Sequence, residues 1–458
     1  MINRKSLSYL RNWAADEDRK PLVMRGARQV GKTTLVNEFA KDYEVYLRLN
    51  LDKASDKILF EDYKDINALI DAIYLVNGQL KKDVPTLLFI DEIQNSLQAV
   101  AMLRYFYEEA NWLHVIAAGS LLESLINRSI SFPVGRVEYM AVHPCSFTEF
   151  LNGLGETFDE NLVESLQAEA VHNRIMQQFM NFALVGGMPG VIKKYALKRD
   201  VLACDKIYDG LLTSYSDDVE KYAHTNTLIQ IVQFLITEGW RFAGSTISFE
   251  RFGGSNYRSR EVGEAFRLLE KTMLLELVYP TTSTKLPVLS AKSRKPKLIW
   301  LDTGIVNYVA GVRKELFSAT NIQDMWRGLL TEQIVAQELL ALETKVNMNR
   351  KYWVREKTTA SAEVDFVIEF DGMVIPIEVK SGTNSKLKSL HIFMDEAPHN
   401  VAVRGWSQPL SVDTVITTKG KSFLLINVPF YYVCVIEKVL EKILNNVQMP
   451  IKQNLGLV

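Results

Sequence analysis

The sequence is poor in cysteine: of 458 residues, only Cys145, Cys204 and Cys434 carry thiols. They lie far apart with no paired spacing, which argues against a disulfide framework or a zinc site and reads as three buried thiols. The six histidines are equally scattered and offer no ligand pattern. No apolar run is long enough to span a membrane, and the opening stretch MINRKSLSYLRNWAADEDRK lacks the apolar core of a signal peptide. A cytoplasmic protein with no membrane contact is expected. Net charge is nearly absent too, at -1, so the whole molecule has no electrostatic footprint for nucleic acid.

What is present is ordinary globular composition, 47% apolar and 23% charged. The chain is too long for one core and calls for about three domains at roughly 150 residues each. Basic charge is concentrated locally. KLPVLSAKSRKPK (285–297) holds five basic residues and no acid, and KVNMNRKYWVREK (345–357) is rich in Lys and Arg with a single Glu. Such runs are expected as solvated loops, with nucleic-acid contact as the alternative.

The strongest motif is near the beginning. PLVMRGARQVGKTTLVNEFA reads as an apolar strand, a loop Gly26-Ala27-Arg28-Gln29-Val30-Gly31-Lys32-Thr33-Thr34, and a helix with apolar spacing at Leu35, Val36 and Phe39. Glycines let such a loop close around phosphates with its N–H groups inward, and the helix N-terminus adds its positive dipole. Lys32 would reach the β- and γ-phosphates of ATP, and Thr33 would hold Mg²⁺. A second strand, TLLFIDEIQ (86–94), is continuously apolar and ends in two acids. Continuous apolarity suits a sheet covered on both faces, and acids at its C-terminal end stand where such sheets bind ligands. Asp91 would hold Mg²⁺ through water, and Glu92 would orient or deprotonate the attacking water.

A third strand, HVIAAGS (114–120), ends in Ser120. This arrangement resembles the AAA+ ATPases, which implies a sensor role for Ser120 beside the γ-phosphate. The stretch FPVGRVEYMAVHPCSFTEFL (132–151) is similar to the GR and P-x-S-F-x-E-F segments of a prokaryotic AAA-type family with a C-terminal domain of uncharacterised function. That resemblance makes Arg136 a candidate sensor or finger arginine, with Arg128 as competitor. ALVGGMPGVIKKYA (183–196) resembles the G-G-x-P turn of the same family, expected to be structural.

From 205 to 280 the spacing is helical, and the order within 245–280 suits a helix-turn-helix with a wing. Ser255, Asn256, Tyr257, Arg258 and Arg260 would begin the recognition helix, and 285–297 would be the wing or follow it. DNA is one partner this would imply; in the family resembled above, a winged helix also serves as a spacer or a protein contact.

Asp302 and Gly304 in PKLIWLDTGIVNYVAG resemble the start of the family's last domain. The order of Glu332 on a helix, Asp365 on a strand and Glu378-x-Lys380 on the next strand resembles the PD-(D/E)xK nuclease fold across about 300–435. A turn argument adds a register. Asp371-Gly372 is the preferred pair for a type I′ hairpin turn, and counting outward sets Phe370 against Met373, Val367 against Pro376 and Asp365 against Glu378. Two facing carboxylates repel unless a cation joins them. Glu332, Asp365 and Glu378, with the Val379 carbonyl, would then hold Mg²⁺ or Mn²⁺, and Lys380 would stabilise charge on the attacking water or phosphate. A Gln or Lys of the next helix is matched only loosely, by Lys386 or Lys388.

The expected fold class is α/β: an AAA+-like P-loop ATPase domain (1–155), a helical and winged-helix domain (156–295), a restriction-endonuclease-like α/β domain (296–435) and a tail (436–458). The expected function is ATP binding and hydrolysis controlling a nuclease-like domain, or alternatively a non-cleaving DNA-binding or protein-interaction switch.

Overall fold

The computed structural model describes residues 2–119, 133, 135–219, 223, 225–311, 329–346, 349–356, 362–380 and 387–452. Ser120, Arg128 and Lys386 lie outside them. So do the side chains of residues 329–330 and 446–452.

The first unit is a five-stranded sheet of β1 (Leu22–Arg25), β2 (Val45–Asn50), β3 (Thr86–Asp91), β4 (His114–Gly119) and β5 (Glu138–Ala141), in the order β2-β3-β4-β1-β5. Every pairing is parallel. All six residues of β3 are buried, as a central strand covered on both faces requires. Ser96 and Asp65 cap the helices Leu97–Glu109 and Ile66–Val76 through their side chains.

The helical middle is joined to this sheet by close backbone contacts. Ser146 and Glu149 form a capping box, and Glu149 also receives Arg4 Nε at 3.2 Å. Cys145 N donates to Gly187 O at 2.7 Å. The Gly186-Gly187 turn itself is held by Asp302, whose Oδ2 accepts Gly187 N at 2.5 Å. A Cβ on Gly186 would lie 2.2 Å from the Asp302 carboxylate, and one on Gly304 would lie 2.1 Å from the Val185 carbonyl. Both glycine motifs are therefore structural. Burial pushes the Asp302 carboxyl up to about 6 despite the N–H groups it accepts.

Further along, the helices Asp205–Asp217, Asn226–Glu238 and Ser259–Lys271 precede β6 (Leu275–Val278), which pairs antiparallel with β8 (Lys297–Trp300). The segment between these strands is not a free wing. Within it β7 (Pro280–Thr281) pairs with β9 (Lys351–Val354), so residues before the expected boundary at 295/296 belong to the last sheet. Arg294 donates to the carbonyls of Arg355 and Glu356, both at 3.2 Å, and Lys297 is buried. These two charges of the basic run are committed to the protein interior and its contacts rather than to a wing. At the expected recognition helix, Arg258 is the N-cap residue of Ser259–Lys271, and Tyr257 packs on Phe234.

The last unit is a seven-stranded mixed sheet in the order β13-β14-β12-β11-β10-β9-β7, with β10 (Glu363–Phe370), β11 (Met373–Val379), β12 (Val401–Trp406), β13 (Ser411–Ile416) and β14 (Ser422–Pro429). The β10–β11 hairpin has the register deduced from its turn: Phe370 faces Met373, Val367 faces Pro376 and Phe366 faces Ile377. Asp371 and Gly372 take φ of +46° and +73°, as a type I′ turn demands. The expected tail is instead the helix Ile436–Lys452, which buries Val439 and Leu440 in the core.

Candidate functional site

The phosphate loop follows β1, and the helix Lys32–Phe39 begins at its end. Gly26 has no room for a side chain, since a Cβ would meet the Val142 carbonyl at 2.4 Å; Gly31 turns the chain with φ +97°. Gln29 also lies in the left-handed region at φ +64°. Ala27 and Val30 are buried beneath the loop. Lys32 Nζ donates to Gly26 O and Ala27 O at 2.8 and 2.9 Å. Burial lowers its pKa to about 8, against the opposing pull of Glu92 and Asp91; Arg28 lowers it further.

Thr33 Oγ1 donates to Asp91 Oδ2 at 3.0 Å. The hydroxyl and carboxylate that the sequence offers to Mg²⁺ are thus already side by side. A hard cation suits this oxygen pair, and Thr33 and Asp91 are the residues that would hold it. Glu92 follows at φ +54° and receives Gln94 Nε2 at 2.5 Å. Gln94 fits because Gly119 carries no side chain, a Cβ there being 2.3 Å from Gln94 Oε1. Arg48, on the neighbouring strand, brings its guanidinium to 3.3 Å from Asp91. Sequence reading missed Arg48, Gln94 and Gly119. Only Arg48 left a signal, as a charge in an alternating strand.

Arg136 does not reach this loop. Glu138 pairs with Leu22 at the start of β1, so Arg136 stands at the opposite end of the sheet, roughly 20 Å of strand from Gly26 at ~3.3 Å per residue. It is paired there with Glu108. The parallel register removes it from the phosphates of its own chain.

Beside the loop is a cavity of about 650 Å³. The N-terminal segment (Ile2, Arg4, Leu7) and the P-loop helix (Gly31, Thr34, Leu35) form one side, and Pro189 and Lys193 face them from the helix held by the Gly186-Gly187 turn.

In the last unit the structure brings Glu332, Asp365, Glu378 and Lys380 into one electrostatic cluster. Val379 N donates to Asp365 Oδ2 at 2.8 Å, and Lys380 Nζ is 2.7 Å from Glu378. A cation that the sequence reading counted only within the basic run 285–297 stands among the acids. Lys297 Nζ lies 2.7 Å from Glu332, 2.8 Å from Glu363 and 3.3 Å from Asp365. Burial, followed by the charge of Asp365, pushes Glu332 and Glu378 each up to about 7. Lys297 is shifted upward because the three acids outweigh its own burial. As arranged, the acids do not fit a divalent ion. Among the described residues no group of three or more acids, histidines or cysteines could hold a metal, and the ammonium takes the central position. Lys388 opens the helix Lys388–Glu396.

A parallel sheet with a phosphate loop after one strand and paired acids at the end of another strand two places away defines an AAA-type P-loop ATPase domain. Residues 18–151 match the family model described as AAA domain. Residues 176–316 and 327–422 match two domains of unknown function, DUF8612 and DUF4143. No curated protein matches the chain. Among solved structures it is similar to a Walker-type ATPase of Pyrococcus abyssi, with 13% identity, TM-score 0.40, and coverage of 68% of this chain and 96% of that one. It is also similar to PCH-2 of C. elegans, with 13% identity, TM-score 0.27, and coverage of 41% and 59%. A signal transduction ATPase with numerous domains and a tetratricopeptide repeat sensor, from Pyrococcus horikoshii, gives 11% identity, TM-score 0.26, and coverage of 75% and 48%.

Proposed function

We propose that this chain binds and hydrolyses ATP and that its nucleotide state sets the geometry of the domains that follow. The observation that carries the reading is the meeting of Thr33 and Asp91 at 3.0 Å below Lys32 and beside Glu92. In the productive complex Lys32 exchanges the carbonyls of Gly26 and Ala27 for phosphate oxygens. Glu92 takes the proton of the attacking water. Thr33 and Asp91 would hold Mg²⁺, which would supply charge neutralisation on the phosphates. The cavity beside the loop is large enough for a nucleoside, and its mixed lining suits a base and ribose. Calorimetric titration of ATP with Mg²⁺ tests this: Lys32→Ala abolishes the binding seen with wild type, and equal binding by both refutes the reading.

For the output domain we favour the non-cleaving switch over the metal-dependent nuclease. The Lys297 ammonium already stands among Glu332, Glu363 and Asp365 and is placed to neutralise them. The winged-helix reading within 156–295 is supported by element order, with three helices before a pair of antiparallel strands. Its wing is tied to the last sheet, which favours a spacer or protein contact over DNA. A nuclease assay on single- and double-stranded DNA and RNA with Mn²⁺ and ATP decides between the two: no cleavage is expected, and cleavage lost on Glu378→Ala would restore the nuclease.

A further inference from the structure

Arg4 precedes the first helix (Ser6–Ala15) and is buried against the phosphate loop, 8% exposed. Its guanidinium is divided among three acceptors. Nη1 donates to Val30 O at 3.0 Å, Nη2 to His143 O at 2.7 Å, and Nε to Glu149 Oε1 at 3.2 Å. Val30 is the residue before Gly31, and His143 follows Val142, the residue whose carbonyl leaves no room for a side chain on Gly26. One side chain therefore spans the loop, from the segment that backs Gly26 to the peptide that leads into Gly31. Its charge is compensated locally. The Glu149 side chain is 1% exposed and also accepts Lys5 N at 2.7 Å and Ser146 N at 3.0 Å.

Fastening the N-terminal segment does not require this fork. Lys5 N on Glu149 and Asn3 N on Asn152 Oδ1, at 2.8 Å, already hold the chain there, and a buried guanidinium is costly unless its donors find fixed partners. What the guanidinium adds is a grip on a loop carbonyl. A trans peptide directs its N–H opposite to its C=O, so holding Val30 O on one side of the loop aims the Gly31 N–H to the other. Gly31 is the N-cap of the helix Lys32–Phe39, and its N–H belongs to the set that a phosphate meets at a helix start. Lys32 grips other carbonyls, those of Gly26 and Ala27.

We propose that Arg4 is a positioning residue for phosphate binding. Through Val30 O it fixes the peptide before Gly31 with its N–H toward the β-phosphate, and so acts on the nucleotide through the loop rather than by contact. Because the β-phosphate is common to ATP and ADP, the effect falls equally on both. Arg4 also lines the cavity beside the loop, so direct contact with the nucleoside is the rival that the experiment must separate. The inference rests on the ATPase reading above.

The experiment uses full-length wild type, Arg4→Ala, Arg4→Lys, Arg4→Met/Glu149→Gln and Arg11→Ala. It reads calorimetric affinities for ADP, a non-hydrolysable ATP analogue and inorganic pyrophosphate, together with kcat and KM. Arg11 lies on the first helix with its side chain 57% exposed and paired to Asp42, so its variant makes the same charge change without the grip. Arg4→Ala should weaken ADP, the analogue and pyrophosphate by one common factor of about tenfold, roughly one charge-assisted hydrogen bond. KM for ATP should rise with them while kcat falls by less than about threefold, the pattern of binding lost equally from ground and transition states. Arg4→Lys, which keeps a donor for Val30 O, should recover part of the affinity, and Arg11→Ala should bind as wild type does. If Arg4→Ala fails to fold, the double variant gives the same reading, since it leaves no uncompensated buried charge. Affinities within about twofold of wild type in a folded protein lacking the Arg4 guanidinium and any substitute donor overturn the proposal. So does a loss confined to ADP and the analogue with pyrophosphate unchanged, which would make Arg4 a nucleoside contact. Both outcomes leave the ATPase reading intact, whereas wild-type protein that binds neither ADP nor ATP overturns both.

Discussion

The side chain of Thr33, at the start of the P-loop helix, lies 3.0 Å from the carboxylate of Asp91, at the end of a strand two places away in the sheet. These residues are 58 positions apart in sequence and meet because β1 and β3 run parallel on either side of β4. The parallel sheet delivers both to its C-terminal edge, where Lys32 and Glu92 also arrive.

Lys32 gives this site a pH signature. Its pKa is lowered to about 8 by burial, yet phosphate binding needs its charge. ATP affinity measured by titration should be flat below pH 8 and fall above it, approaching about tenfold per unit as the ammonium deprotonates. An affinity unchanged between pH 7 and 9.5 would show that Lys32 is not the phosphate-binding cation.

Gln94 should set the efficiency of Glu92, because it holds that carboxylate at 2.5 Å. Gly119→Ala places a Cβ 2.3 Å from Gln94 Oε1 and must displace it. Steady-state kinetics of Gly119→Ala and Gln94→Ala should show the same change in kcat with KM for ATP nearly constant. Different effects of the two changes would separate Gly119 from Gln94.

Lys297 is the cation on which the C-terminal acids depend. Lys297→Met leaves Glu332, Glu363 and Asp365 without it, and removal of one partner from a buried ion cluster costs about 3–5 kcal/mol. Chemical denaturation should report that loss, and a change of less than about 1 kcal/mol would mean that the cluster behaves as a wet surface.

The acids themselves carry the opposite dependence to an ordinary ion pair. Glu332 and Glu378 are raised from 4.5 to about 7 in the fold. A raised carboxyl contributes stability that is fully present below pH 4.5 and is lost as pH rises through 7. Denaturation midpoints should therefore fall between pH 5 and 8 once other groups are matched, and Glu332→Gln should flatten the slope. An unaltered slope in that variant would contradict the assignment.

Much of this architecture could be read from short stretches whose geometry is local. The type I′ turn at Asp371-Gly372 fixes a period-two register, so the facing of Val367 and Pro376 followed from counting. The glycine loop was equally legible, because phosphate binding needs a fixed spacing. The place of Arg136 was not legible, because the motif does not say that a parallel strand follows it and so at which end of the sheet it stands. The role of Lys297 was illegible for another reason: its partners Glu332 and Asp365 lie 35 and 68 residues away and are set by packing. The helix Ile436–Lys452 did leave a signal, the helical spacing of Ile436, Val439, Leu440, Ile443 and Leu444, which was read as a tail.

Phosphate release from ATP with Mg²⁺, measured side by side for wild type, Lys32→Ala and Glu92→Gln, tests the central claim most directly. The account predicts turnover by wild type, loss of binding and turnover in Lys32→Ala, and retained binding without turnover in Glu92→Gln. Equal turnover in all three proteins would place the chemistry outside this loop and contradict it.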